Sequence, residues 1–168
     1  TARDQLTRKG DMHCRGIITQ IQEAKSAVGH LSSHDYIFVS WQLNEIFNKT
    51  HWISGNKHKY LNIDVAHKDI DDLCNAIRER TNRALVLLGA RKDTWFTPED
   101  KTAYEFWDPM LELIQKRLDS QGIPWMDADY IFNPEKSGLK LDGSHIMHLK
   151  ANRKLLTEKF IDACRYIK

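Results

Sequence analysis

Cysteine is scarce. Three residues, Cys14, Cys74 and Cys164, stand far apart in 168, an odd number that makes no disulfide framework and supplies no C-x-x-C metal knuckle. Such usage predicts a reducing compartment and a cytoplasmic location, unless a secretory signal has been removed. The sequon Asn48-Lys49-Thr50 points the other way but carries little weight, because such tripeptides arise by chance. Long apolar runs are also missing. Nothing approaches the ~18 residues a bilayer span requires, so no membrane segment is expected. Charge of one sign is not in excess: 25 Lys plus Arg against 23 Asp plus Glu leave +2, too little by itself to imply a nucleic-acid partner. The eight glycines are scattered and form no phosphate cradle. His51, His58 and His67 match neither H-E-x-x-H nor a finger pattern, so no metal and no cofactor is expected. What is present, 41% hydrophobic and 29% charged residues, suits one soluble domain over 1–168, long enough to bury roughly 70% of its unfolded surface.

The apolar pattern then gives elements. Ile17, Ile18, Ile21, Ala24 and Val28 form a helical stripe within Arg15 to Val28, closed by Gly29. Tyr36 to Trp41 is a β-branched and aromatic run read as a central parallel strand buried on both faces. Asn44 to Asn62 reads as a long surface loop, often a functional feature in compact domains. Asp64 to Arg80 carries Ile70, Leu73, Cys74 and Ile77 at helical spacing, acids first and bases last, as the helix dipole prefers. Ala84 to Ala90 is a second buried strand. Thr97-Pro98-Glu99-Asp100 opens a helix whose Trp107, Met110, Leu111, Ile114 and Leu118 face inward, and Pro109 is expected to bend or split it. Gly122 to Asp127 is a short strand, and a last helix runs from Leu149 through Leu156, Phe160, Ala163 and Ile167. This alternation argues an α/β sandwich around a mostly parallel sheet. Ligands in such folds sit beyond the carboxyl ends of the strands, which directs attention to the loops after Trp41, Ala90 and Asp127.

Those loops hold the candidate chemistry. The amide of Asn44 can donate to a developing oxyanion, or it can simply cap the turn after its strand. Asp142 stands three residues before His145, the spacing at which a carboxylate can orient an imidazole and stabilise its protonated form; Asp142 reads equally well as a turn residue. Gly10-Asp11-Met12 precedes the first helix, where a backbone N–H can face an anion, or where the chain simply enters the helix.

In this order the pieces resemble the SGNH (GDSL-like) hydrolase superfamily. Lys9-Gly10-Asp11-Met12-His13-Cys14-Arg15-Gly16-Ile17 resembles its second block, the strand to Trp41 followed by Gln42-Leu43-Asn44-Glu45 its third, and Asp142-Gly143-Ser144-His145 its fifth, in the DG-x-H form of the PC-esterase branch. The resemblance implies a three-layer sandwich with a flavodoxin-like sheet and helices on both faces. It also implies acyl-ester hydrolysis of a small ester, with His145 as general base, Asp142 as its orienter, and the Gly10 N–H and Asn44 side chain as oxyanion donors.

Two departures stand out. Gln42 and Glu45 replace the Gly and Asp of the third block, and the first strand with its Gly-Asp-Ser nucleophile block is absent. Ser40, inside a strand, and Ser144, inside the D-x-x-H element, are not presented as nucleophiles, so none is assigned and enzymatic activity is left open. The polar opening, Thr1 to Lys9, lacks an initiator Met and reads as trimmed. An upstream segment or a second polypeptide is therefore expected to complete the sheet, whose edges would otherwise stand open.

The alternative belongs to another class, an inactive SGNH-like module that binds RNA or a protein. Arg91 and Lys92 follow a strand, and Lys150 and Arg153 crowd the last loop and helix. Trp52, Tyr60 and Trp95 can stack on bases, or they can belong to the rim of the core.

Overall fold

The computed structural model describes residues 2–6, 9–25, 29, 32–41, 52, 61–89, 101–132 and 152–167. Three strands form a parallel sheet in the order β3 (Ile37–Trp41), β4 (Ala84–Leu88), β5 (Trp125–Asp127). Ile37 pairs with Ala84 and Trp41 with Leu88, while Val86 pairs with Trp125 and Leu88 with Asp127. The fold is α/β, as the alternation predicts.

The middle strand explains the core. All five residues of β4 are buried, because its neighbours occupy both edges and its side chains enter two apolar clusters. Ala84, Val86 and Leu88 join Ile18 and Ile21 of α1 (Ile17–Glu23), Ile70, Leu73 and Ile77 of α2 (Ile63–Arg80), and Met110, Ile114 and Leu118 of α3 (Lys101–Ser120). Leu85 and Leu87 meet Ile131 of the short helix α4 (Asp129–Phe132) and Leu156 and Ala163 of α5 (Arg153–Ala163). A single turn of 3-10 helix, Cys164–Tyr166, follows. Continuous apolar sequence is therefore what a two-sided strand requires.

Helix ends follow from local chemistry. Asn62 caps α2 by accepting from the Val65 N–H at 3.2 Å, with Asp64 in the first turn and Arg78 and Arg80 in the last, each favourable to the dipole. Gly122 ends α3: it adopts φ +67, its N–H reaches the Asp119 carbonyl at 3.0 Å, and the Ile123 N–H reaches that of Leu118 at 3.0 Å. Only a residue without a Cβ enters that left-handed conformation cheaply. Gly122 thus closes a helix, and the strand begins at Trp125. The carbonyl of Pro124 accepts from Val86 at 3.0 Å, so the missing proline N–H costs no ladder bond.

Several sequence expectations change. Among the described residues the Tyr36–Trp41 run is an edge strand, with β4 on one side, and Ser40 is exposed while Ile37, Val39 and Trp41 are buried. Its hydroxyl faces away from the core, so the strand buries one face fully. Pro109 neither splits nor ends α3, which runs through it. Helix α1 spans less than Arg15–Val28, starting after Gly16 and ending before Ala24, whose ψ of 139° leaves the helical region.

The polar opening is structural. Residues Gln5–Leu6 (β1) and Met12–Cys14 (β2) form an antiparallel hairpin, and the segment before it docks onto two helices. Ala2 is fully buried and its carbonyl accepts from the Ile18 N–H at 3.2 Å, while an Asp4 oxygen accepts from the Gly16 N–H at 2.6 Å. These bonds satisfy donors that the start of α1 would leave orphaned. A Cβ on Gly16 would fall inside the Ala2–Arg3 backbone, so a glycine is required where the two segments touch.

Candidate functional site

The carboxyl ends of β3, β4 and β5 meet at one end of the sheet. Gly89 leaves β4 with φ +96 and donates its N–H to the Trp41 carbonyl at 3.2 Å, and Ala128 donates to the Leu88 carbonyl at 2.8 Å. An Asp127 carboxylate oxygen lies 3.9 Å from where a Gly89 Cβ would stand. An exposed carboxylate thus stands beside a left-handed glycine at the strand ends, the end at which open parallel sheets bind ligands.

Beneath this end lies a buried polar linkage. Trp41 and Trp52 are both 0% exposed and pack edge to face, centroids 5.6 Å apart and planes at 73°. The Trp52 Nε1–H donates to Asp69 Oδ2 at 2.6 Å, and Arg3 Nε donates to Asp69 Oδ1 at 2.8 Å. Asp69 is only 2% exposed, and these two donors compensate the desolvation of its charge. Arg3 also pairs with Asp72, which accepts from Lys68 at 2.7 Å. Because the two tryptophans touch, the chain leaving β3 at Trp41 returns to it at Trp52.

Other predicted residues fall as follows. Gly10 sits in the turn between β1 and β2 with φ +85; the start of α1 belongs instead to Gly16, whose N–H is already taken by Asp4. Arg153 begins α5 and is exposed. Asn44, Asp142 and His145, with Arg91, Lys92 and Lys150, lie outside the described residues, as do Tyr60 and Trp95. Trp52 is core rather than a stacking platform. Sequence reasoning missed Asp69, though an acid standing among Ala66, Ile70 and Leu73 on the buried stripe of α2 was a signal.

The thiols are free. Burial pushes Cys74 up to about 11 and also raises Cys164, while Cys14 is exposed and contacts Gln5 Oε1 at 3.3 Å. Among the described residues no cluster of His, Cys, Asp and Glu is arranged to hold a metal ion, and no helix is long and apolar enough to cross a membrane. Comparison of the chain with protein-family models, curated proteins and solved structures gave no match.

Proposed function

We propose that this chain is an SGNH-like hydrolase domain, a three-layer sandwich on a flavodoxin-like sheet, whose chemistry is acyl-ester hydrolysis once a serine is supplied to the carboxyl end of the sheet. One observation supports the reading: β3, β4 and β5 run parallel, so their carboxyl ends lie together at one end of the sheet, where open parallel sheets bind ligands. In this scheme the serine oxygen bonds to the ester carbonyl carbon while His145 takes its proton, with Asp142 orienting the imidazole. The Asn44 amide stabilises the oxyanion; Gly10, which sits in the β1–β2 turn and not at the start of α1, is not given that role. His145 then returns the proton to the leaving alcohol, and water, activated the same way, releases the acid and restores the serine.

The test is turnover of p-nitrophenyl acetate. His145→Ala is expected to abolish it, and Asn44→Ala to lower kcat about 10²- to 10³-fold. Turnover indifferent to both substitutions would sink the proposal.

A role in binding single-stranded RNA is the second reading. It is favoured by exposed Tyr130 and Tyr166, whose rings pack edge to face, with Lys159 over the Tyr130 ring and Arg165 next to Tyr166 in the chain; the exposed Arg153 begins the helix that carries Lys159. Each neutralised phosphate contributes about −0.7 to the salt slope of binding, so affinity that ignored salt would count against it.

A further inference from the structure

At the amino end of the sheet, opposite Gly89 and Asp127, lies a cavity of about 380 Å³ between the end of α2, the start of β4, the turn that closes α3 and Tyr166. Its volume sits toward the small end of the range of about 300–1,000 Å³ typical of small-molecule sites. Ile77 and Ile123, both buried, make the wall apolar. We propose that this cavity binds a small zwitterion, an α-amino acid with an apolar side chain.

Arg78 and Asp119 both line the cavity, yet among the described residues neither is in an ion pair, with the other or with anything else. Their neighbours behave differently: Arg117 pairs with Asp71, Lys68 with Asp72 and Lys116 with Glu112. Arg78 uses Nη2 on the Gln121 carbonyl and side chain, and Nη1 makes only a long contact of 3.4 Å to Asn75. Its Nε–H has no partner among the described residues. One Asp119 oxygen accepts from Trp125 Nε1 at 2.8 Å, and the other accepts nothing there. A ligand carboxylate answers the guanidinium, and a ligand ammonium answers Asp119.

Two further features fit the same ligand. The carboxyl ends of α2 and α3 both face this cavity, and their partial negative charge favours an ammonium. The Asn82 amide and the Tyr166 hydroxyl, also on the wall, make no side-chain hydrogen bond among the described residues and are available to a carboxylate. The apolar side chain of the ligand then covers Ile77 and Ile123, gaining burial at roughly 25 cal/mol per Å².

The proposal is independent of hydrolysis and is read without turnover. In an NMR titration of the whole chain, L-phenylalanine is expected to shift the amides of Thr81, Asn82 and Gly122 saturably. Phenethylamine, without the carboxylate, and 3-phenylpropionate, without the ammonium, each bind at least about tenfold more weakly, the cost of one charge-assisted hydrogen bond. Asp119→Asn keeps an acceptor for Trp125 and should erase the preference for phenylalanine over phenylpropionate. Arg78→Gln should erase the preference over phenethylamine. Absence of saturable shifts with all three compounds, or equal affinities for them, overturns the proposal, and should Arg78→Gln unfold, the Asp119→Asn result decides alone.

Discussion

Asp69 is where the most depends on one side chain. It is the shared acceptor for a fully buried indole and for the guanidinium of Arg3, so Asp69→Ala orphans the Trp52 N–H in an apolar setting. A loss of about 1–3 kcal/mol is expected, seen as a lower urea midpoint together with altered tryptophan emission; an unchanged midpoint would show that the indole finds another acceptor. Asp69→Asn keeps the acceptor and should fall between. Thiol chemistry gives a second residue-level prediction. With its thiol held at about 11 by burial, Cys74 should resist an aromatic disulfide reagent at pH 8 until the chain is denatured, whereas exposed Cys14 reacts at once. Fast labelling of Cys74 in the folded chain would contradict its burial.

Among the elements, the start of α1 is the most constrained. Gly16 lets the Ala2–Arg3 backbone lie against it while its own N–H is held by Asp4. Gly16→Val should eject the amino-terminal segment without unfolding the sheet, and limited proteolysis would then cut within residues 2–14 far faster than in the parent. Equal resistance would refute the contact. The hairpin and its docking were not legible in the sequence, because Thr1 to Lys9 has no alternation and its partners are remote, with Arg3 reaching Asp69 and Asp72. By contrast α2 and β4 were legible, since a stripe at helical spacing and a continuous run of Ala84 to Leu88 encode burial locally. Trp52 was read as a loop aromatic for the same reason the hairpin was missed: its neighbours in sequence are Asn, His, Lys and Gly, and only a contact with Trp41 and Asp69 makes it core. Of the candidate site, the sequence directed attention to the carboxyl end of the sheet but gave no sign of the Trp41–Trp52–Asp69–Arg3 linkage.

For the whole molecule, acid is the informative variable. The Gly16 N–H holds Asp4 below the ordinary carboxylate range, the Arg117 fork does so for Asp71, and Lys68 with Arg3 for Asp72. Depressed pKa values in the folded state mean that the unfolded chain binds protons more readily at low pH. Stability from these groups is therefore complete above the unfolded value of roughly 3.9 and is lost as pH falls through the lower folded values. Urea midpoints followed by circular dichroism should hold between about pH 7 and 5 as far as these groups act, then drop below about pH 4. Asp71→Asn should flatten part of that drop. Two of the three carboxylates, Asp4 and Asp72, anchor the amino-terminal segment, so it is expected to release before the sheet melts.

The docking of Ala2 to Asp4 also sets an order of assembly. Arg3 is separated from Asp69 and Asp72 by 66 and 69 residues, so during vectorial synthesis its partners emerge long after it, when α2 has been made. The contacts of Ala2 and Asp4 with α1 can form early, but the guanidinium of Arg3 must wait without its carboxylates for that interval.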